Sequence, residues 1–465
     1  MRWSHLKRNT EPTANVADRP PGLDGLPVIG STLSFIRNPL DFVRSIGEYG
    51  DVVRYVAFGR EFVVISDPEL VETVLVSRDN EFWKGEFESR LGDIVAPDGV
   101  FYAEGSDWRR QRSLLQSLFT PKRIEAYAAD MVDETVRMTD GWTDGTIVNV
   151  REELSTFTLG VLTRSLFDLD LEDERADVVV RMVDALGEYV DAEMLGVRSV
   201  LPSWVPSKPE RKFDRAMADL DALVESLVHE HRESEGESDD LLSLLATAEY
   251  PDGTTPSPNE VSDQLVQFLV AGHETSATAL TYTCWLLAND PEMQRRLARE
   301  IETVCGDRNP RIDDLGSLTL SEAVINEAMR LYPPFPFIHR QPHESTTLGG
   351  YRIPPESTLQ LPLSSVHLDD RWWRNAESFR PERWLPETEQ NGNWKCDRPE
   401  YAYFPFGGGP RHCIGMRFAM TELQLSLAAM IRRIEFEPVT ESLGPTWKVS
   451  LDPGPVKLRI RTRDR

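Results

Sequence analysis

The sequence predicts a mainly α-helical fold with a small β-rich lobe. From about residue 107 to residue 350, apolar residues recur at helical spacing. Residues 52–66 instead form two runs of β-branched and aromatic residues around Gly59, a pattern typical of a β-hairpin. Short strand patterns return at residues 347–363. The helical region is therefore expected to form the bulk of the protein, with strands contributed from both sides of it.

Helix-capping and helix-breaking residues predict where several helices and strands begin and end. Asp67 and Pro68 are the residue types that begin a helix, which we expect to run to about Val76. A long helical pattern extends from about residue 260 to residue 289, and residues 348–354 contain the clearest later strand.

The chain is expected to fold as a single large domain over residues 20–465. Polar connectors at residues 231–239 and 250–258 do not divide it, because motifs on both sides of them must serve one site. Residues 1–19 are polar and are predicted to be a disordered tail.

The charge balance excludes some functions. Lys plus Arg number 51 and Asp plus Glu number 77, which gives a formal net charge of −26. This surplus of acid disfavours nonspecific binding to nucleic acid or to an anionic membrane. Because Lys is scarce, we also predict a halophilic source, with an ordinary acidic cytosolic enzyme as the alternative.

The four cysteines, at positions 284, 305, 396 and 413, show neither a disulfide framework nor paired zinc spacing. A reducing cytoplasm fits this usage. We find no run of about 18 apolar residues and therefore expect no membrane anchor. These features indicate a soluble, cytoplasmic protein, which we expect to be a monomer.

Residues 406–415, Phe-Gly-Gly-Gly-Pro-Arg-His-Cys-Ile-Gly, hold a single Cys in a glycine-rich loop before an apolar helical pattern. A thiolate is a strong ligand for iron and is stabilised by nearby backbone N–H groups. Glycines allow that close approach, and a helix beginning near Cys413 adds the positive end of its dipole. A lone Cys is more often an inert buried residue. The residues around Cys413 are what favour a metal ligand.

This stretch resembles the haem-ligand loop of the cytochromes P-450, whose pattern is Phe-x-x-Gly-x-Arg-x-Cys-x-Gly. The matched positions are Phe406, Gly409, Arg411, Cys413 and Gly415. The resemblance covers about residues 20–460 and implies the P-450 fold with haem b, iron protoporphyrin IX, as the cofactor. It implies that Cys413 is the axial thiolate and metal ligand, that Phe406 packs near the sulfur, and that Arg411 pairs with a haem propionate.

Residues 271–275, Ala-Gly-His-Glu-Thr, lie within the long helical pattern. Gly272 lacks a side chain, which we expect to let a flat cofactor approach, and Thr275 can bond to a carbonyl one turn back. An adjacent acid and alcohol can relay protons. The stretch resembles the family's oxygen-binding signature, which implies catalytic roles for Ala271, Gly272, Glu274 and Thr275. Taken alone, it would more often be ordinary helix packing.

Glu327 and Arg330 place opposite charges at i and i+3 on one helix face. The same spacing occurs at residues 172/175, 292/295 and 377/380, where we predict surface pairs. The continuation Leu-Tyr-Pro-Pro and the later segment around Arg383 resemble the family, which implies a structural triad of Glu327, Arg330 and Arg383.

Two haem propionates need cationic partners, and Arg suits them. Trp108 and Arg112 match the family's Trp-x-x-x-Arg, and Arg340 falls where relatives carry another propionate ligand. His412 is a weaker candidate than Arg411. His339 and His367 are predicted to be structural.

The resemblance implies a haem-thiolate monooxygenase that inserts one oxygen atom from O₂ into a lipophilic small molecule. Because no flavin or iron–sulfur segment follows Cys413, a separate ferredoxin or flavodoxin-type protein is expected to supply the electrons. We expect an acidic ferredoxin to dock on acid-free segments at residues 108–123 and 401–421. Two alternatives stay open here, namely a peroxide-dependent or isomerising haem-thiolate enzyme and a non-catalytic haem sensor.

Overall fold

The structure is a computed structural model. It describes residues 19–23, 25–26, 30–89, 96–194, 207–233, 241–250, 253–386, 398–448 and 450–463. The predicted disordered tail lies outside these ranges except for Arg19, and the connector at 231–239 lies outside them beyond Glu233.

Helices form most of the described structure, as predicted. In chain order they are Thr32–Arg37 (α1), Pro39–Gly47 (α2), Pro68–Glu72 (α3), Gly105–Gln116 (α4), Pro121–Asp140 (α5), Val150–Phe167 (α6), Ala176–Met194 (α7), Lys208–Glu233 (α8), Leu241–Thr247 (α9), Pro258–Ala288 (α10), Pro291–Cys305 (α11), Thr319–Leu331 (α12), Leu363–Val366 (α13) and Met416–Arg433 (α14).

The strands are short. They are Gly22–Leu23 (β1), Val52–Ala57 (β2), Arg60–Ile65 (β3), Phe82–Trp83 (β4), Ile147–Asn149 (β5), Phe337–Pro342 (β6), Thr346–Leu348 (β7), Tyr351–Ile353 (β8), Thr358–Pro362 (β9), Ile434–Pro438 (β10), Thr446–Trp447 (β11), Leu451–Asp452 (β12) and Lys457–Thr462 (β13).

One six-stranded sheet forms most of the β-rich lobe. Its order is β1-β2-β3-β9-β6-β4, so the N-terminal hairpin is joined to strands from the other side of the helical region. β2 and β3 are the predicted hairpin, and β3 pairs with β9 in parallel. A three-stranded sheet, β10-β13-β5, brings the last strand back to the start of α6. Strands from both ends of the chain therefore form the sheets that lie beside the helices, as predicted from the sequence.

The predicted helix starts are confirmed. The Asp67 side chain accepts hydrogen bonds from the N–H groups of Glu69 and Leu70. α3 then passes into a π-helical turn over Thr73–Ser77, so the helical segment extends to about the predicted end with a changed geometry. α10 begins at Pro258 behind a Ser257 cap, within two residues of the prediction.

Strand β6 is a difference from the prediction, because it falls inside the region assigned to helix. The prolines that follow Leu331 end α12 and release the chain to pair with β9, with Phe337 opposite Pro362. Phe337 is 1% exposed and packs with Phe35 and Tyr55. Phe337 is therefore a core residue of the β-rich lobe.

The central element is α10. It packs closely along α6 and against α12 and α14, and it is buried over most of its length. Among the described residues, no helix is both long enough and apolar enough to cross a membrane.

Candidate active site

The loop before α14 is shaped by its glycines. Gly409 has φ +63°, and a Cβ there would lie 1.8 Å from the carbonyl oxygen of Leu75, so no other residue fits without movement. The loop closes through the Cys413 N–H, which donates to the Phe406 carbonyl at 2.8 Å. Phe406 itself packs against the main hydrophobic core. The loop thus holds Cys413 in a fixed position at the start of the helix.

The thiols differ in their surroundings. Burial raises the pKa of the Cys413 thiol, while the Gly415 N–H and the Arg112 guanidinium act in the opposite direction. Many protein atoms lie near the thiol, yet the residue Cys413 is exposed, whereas Cys284 and Cys305 are buried. Cys413 therefore combines an exposed position with a backbone donor and a cation near its thiol, which suits a metal-bound thiolate.

α10 lies across from this loop. Ala271 is exposed in the middle of this otherwise buried helix, and Thr275 shares its face one turn later. Phe119 joins the two sides, because its ring contacts Phe268 of α10 at 5.5 Å between centroids and lies 3.9 Å from a Cβ built on Gly415. The loop and the Ala271–Thr275 face therefore border one internal space.

Gly272 has a packing role. A Cβ built on Gly272 would lie 3.0 Å from Leu162 of α6. The missing side chain therefore serves the close packing of α10 on α6. The approach of the cofactor at Gly272 stays a prediction, and Ala271 beside it is the small, exposed residue of this stretch.

Thr275 and Glu274 bond to different partners. The Thr275 hydroxyl donates to the Ala271 carbonyl at 2.5 Å, as predicted. The Glu274 carboxylate is ion-paired with Arg151 of α6 and accepts a hydrogen bond from Ser450 at 3.1 Å. The acid and the alcohol are thus neighbours in sequence, but the carboxylate is held on the side of α6.

Two buried cations border the site on its β-rich side. Arg340 of β6 is 7% exposed, and burial, with the charge of Arg411 next, lowers its pKa to about 10. Lys84 is equally buried, and burial followed by the charge of Arg340 lowers its pKa to about 7. The Lys84 Nζ lies 3.4 Å from the centroid of the Phe101 ring. Lys84 was not predicted from the sequence, because its position three residues after a charged turn does not distinguish it from an ordinary surface lysine.

The other predicted cations lie near the Cys413 loop. Arg411 stacks over the Trp108 ring at 4.6 Å and pairs with Glu104 at 2.5 Å. An Arg112 Nη lies 3.3 Å from Nε2 of His412. α4 and the loop therefore bring together all four of these predicted residues, which are separated by about 300 positions in sequence.

The charges around this space do not balance. Lys84, Arg112, Arg340 and Arg411 face two close carboxylates, Glu88 and Glu104, with Asp79 contributing more weakly. Glu88 is itself engaged with His339 at 2.8 Å. Buried cations without enough anions are costly, so the site suits a ligand that brings carboxylates of its own. The exposed thiol and the small-residue face of α10 suit a flat, iron-containing group, and together these features fit a haem.

The predicted triad is present and buried. The Glu327 carboxylate accepts from Arg330 Nε and Nη2, both at 2.8 Å, and from Arg383 Nε at 3.0 Å. The triad connects to the loop, because Arg330 donates to the His367 carbonyl and His367 Nε2 accepts from the Phe404 N–H at 3.0 Å. The pair at residues 292 and 295, with the same spacing, lies on the surface as predicted.

Glu422 of α14 is a second residue that the sequence analysis missed. It is 1% exposed, and burial raises its pKa to about 8, against an opposing hydrogen bond with Ser276 of α10. Its Oε1 has no hydrogen-bond partner among the described residues. This shift favours the protonated form of the carboxyl group, which lies between α14, the helix that follows Cys413, and α10, the helix of Thr275. In the sequence, the only sign of this burial is that Glu422 falls within an apolar helical pattern, which is a weak signal.

Comparisons with known proteins agree with this arrangement. The sequence model of the family described as cytochrome P450 matches residues 20–459. Cyclooctatin synthase of Streptomyces melanosporofaciens is 33% identical over 93% of this chain and 94% of its own length. Pentalenene oxygenase of Streptomyces avermitilis is 32% identical over 96% and 98%. The retinoic-acid-bound cyanobacterial CYP120A1 has a similar fold, with a TM-score of 0.84, 23% identity, and coverage of 97% of this chain and 100% of the other.

The chain therefore belongs to the cytochrome P450 family, and the fold prediction is confirmed. It is a haem-thiolate monooxygenase, an oxidoreductase that incorporates an atom of molecular oxygen into a lipophilic small molecule. The family implies a haem cofactor and a redox partner.

Proposed function

We propose that this chain oxygenates a terpenoid, using haem b held by Cys413. The substrate class is supported by the relatives, since cyclooctatin synthase and pentalenene oxygenase cover nearly the whole chain at 33% and 32% identity. The observation that carries the site assignment is the exposed Cys413 thiol in a glycine loop across from Ala271 and Thr275. Relatives named as oxygenases favour this function over peroxide-dependent, isomerising or sensor alternatives.

The thiolate-bound haem would supply the activation of dioxygen. Arg112, Arg340, Arg411 and Lys84 would hold its propionates, Trp108 would support Arg411, and the surplus of positive charge among them supports this role. Gly415 would donate its N–H to the sulfur, Phe406 would shield it, and His412 would orient Arg112. The triad would act only by holding the loop through His367 and Phe404.

Thr275 would deliver protons at the oxygen side, because its hydroxyl faces the internal space and can exchange its bond to the Ala271 carbonyl for one to water. Glu274 would resupply Thr275 only after leaving Arg151, because that pair holds the carboxylate on the side of α6. The oxygen-side reaction would therefore depend on a side-chain movement at residue 274.

Electrons would come from a separate acidic ferredoxin. The described residues support a smaller docking surface than predicted, because Arg110 stacks over Tyr250 at 4.2 Å and lies 3.5 Å from Glu260. Arg109, Lys122 and Arg417 are exposed and form the proposed docking surface on the side of the loop. Reversing the charges of Arg109 and Arg417 should slow reduction by ferredoxin and weaken its dependence on ionic strength.

The test of the proposed function is spectroscopic. The reduced protein with carbon monoxide should give the thiolate-type band, and a band near 420 nm alone in freshly prepared, folded protein would contradict Cys413 as the ligand. Cyclic terpenes should produce a low-spin to high-spin shift and be hydroxylated with NADPH, a reductase and ferredoxin. If fatty acids shift the spectrum and terpenes do not, the proposed substrate class is wrong.

A cytoplasmic monomer and a halophilic source are also proposed, from composition. The surplus of carboxylates is the support for the halophilic proposal. Gel filtration and activity over a range of salt concentrations test these proposals.

A further inference from the structure

A groove between α7 and α8 carries a concentration of positive charge that the haem chemistry does not use. Its volume is about 380 Å³, and it is lined by Arg181 of α7, by Lys208, Arg211, Lys212 and Arg215 of α8, and by Ala216 and Asp219. The chain has a net charge of −26 and only eight lysines, of which two lie here. Such a cluster is unexpected on a surface with this charge.

Four of the five cations of this groove form no ion pair with a described residue. Within the part of the chain that the structure describes, Lys212 pairs with Glu188 at 2.7 Å, whereas Arg181, Lys208, Arg211 and Arg215 form no ion pair. Elsewhere, exposed arginines commonly find a carboxylate, as Arg295 does with Glu292 at 2.8 Å. A chain with this surplus of acid could easily have supplied one here.

The spacing makes the cluster unfavourable without an anion. Lys208, Arg211 and Arg215 recur at i, i+3 and i+7 and share one face of α8, so like charges oppose one another. Lys208 and Arg211 also lie in the first turn of a 26-residue helix, where the positive end of the helix dipole disfavours cations. The nearby Glu210 forms a capping box with Ser207, at 3.1 and 3.2 Å, and is committed to the helix start.

The groove is held open by packing rather than by charge. The Tyr189 and Phe213 rings stack at 5.3 Å between α7 and α8, and Ala216 forms a small buried floor. Arg181 is thereby held opposite the cations of α8. Guanidinium groups on two sides of a groove are suited to several oxygens of one phosphate-containing group.

We propose that this groove is a binding site for a multivalent phosphate group, of the diphosphate type, separate from the haem site. Two sources could present this group, namely a soluble diphosphate compound or the headgroup of an anionic lipid. Both share the same chemistry, and the experiment distinguishes them.

The test uses the purified holoprotein at low ionic strength. Inorganic pyrophosphate should bind saturably with one site by titration calorimetry, raise the melting temperature, and bind more weakly as salt is added. The double variant Arg211→Gln/Arg215→Gln should weaken this binding by at least about tenfold. The matched control is Arg295→Gln/Arg299→Gln on α11, with the same spacing but a carboxylate partner at Glu292, and its effect should be below about twofold.

Vesicles of cardiolipin, whose headgroup carries two phosphates, form the second arm, with phosphatidylcholine vesicles as the neutral comparison. The site would be assigned to lipid headgroups if the wild-type protein binds the anionic vesicles, the groove variant does not, and the wild-type protein has little affinity for pyrophosphate. The proposal is overturned if neither probe binds, or if the groove variant and the control behave alike. It is also overturned if the groove variant only slows reduction by an acidic redox protein, since the groove would then bind a protein. A normal carbon monoxide spectrum in each variant shows that the fold and the haem site are intact.

Discussion

Replacing Glu327 by Ala should prevent the protein from holding its haem. The carboxylate accepts five hydrogen bonds, from Arg330 Nε and Nη2, Arg383 Nε, Trp384 Nε1 and the Arg380 N–H, at 2.8 to 3.0 Å. Glu327 and Arg330 are 0% exposed, and Arg383 is 4% exposed. Its removal takes the shared carboxylate away from two buried guanidinium groups.

Breaking a buried ion pair in this way costs about 3–5 kcal/mol. A domain is commonly stable by about 5–15 kcal/mol, so the loss is a large part of the total. The damage should reach the Cys413 loop, because Arg330 donates to the His367 carbonyl at 2.8 Å and His367 accepts from the Phe404 N–H. Glu327→Gln keeps the shape of the side chain but removes its charge, so this variant should lose less stability and less haem than Glu327→Ala but more than the wild type.

The assay combines haem content, the carbon monoxide spectrum of the reduced protein and chemical unfolding followed by circular dichroism. Glu292→Ala is the matched control, because Glu292 pairs with Arg295 at the same i, i+3 spacing on the surface, and it should leave all three measurements unchanged. The reasoning is refuted if Glu327→Ala yields full holoprotein and unfolds at the same denaturant concentration as the control.

Three further predictions concern single side chains. Thr275→Val should lower the product formed per NADPH consumed by roughly tenfold or more. The control Thr281→Val removes an equivalent hydrogen bond, to the Ala277 carbonyl at 2.6 Å, and should leave this ratio unchanged. An equal ratio of product to NADPH in both variants would contradict the proton role of Thr275. Because burial raises the pKa of Glu422 to about 8, the native state holds a proton that the unfolded state releases between about pH 4.5 and 8, so native stability from this group falls as pH rises through that window. Glu422→Gln should therefore gain stability relative to the wild type as pH rises to 8, measured by chemical unfolding, and a pH-independent difference would show that Glu422 is already charged. Lys84→Met should release haem to apomyoglobin several-fold faster, because it removes a cation from the proposed propionate site; Lys122→Met, an exposed control, should not, and equal rates would remove Lys84 from the site.

Much of the haem site could be predicted from the sequence because its parts are local. The loop around Cys413 needs its glycines, its Arg and its Cys within ten residues, so the pattern is readable in one dimension. The caps at Asp67 and Ser257 and the hairpin around Gly59 are local in the same way. Their physical causes, turn conformation and helix capping, act over a few residues.

The remaining features depended on contacts between distant segments. The i, i+3 charge spacing alone does not distinguish Glu327 from Glu292, because burial by a segment some 55 residues later is what turns one such pair into the core of a triad. The packing of Gly272 against Leu162 of α6 could not be predicted from the motif, because it depends on a helix about 110 residues earlier in the chain. Lys84 and Glu422 became notable only when burial shifted their pKa values.

The sequence by itself determined the class of fold, the thiolate loop and the approximate order of helices and strands, since these follow from periodicity, caps and short motifs. The tertiary structure decided which charges are buried, which are paired and which face one another. It joined Arg112 to His412 and Arg411 to Glu104 across about 300 residues, and it left four of the five cations between α7 and α8 without an ion pair to a described residue. The reason is that desolvation and Coulomb interactions depend on distance in space.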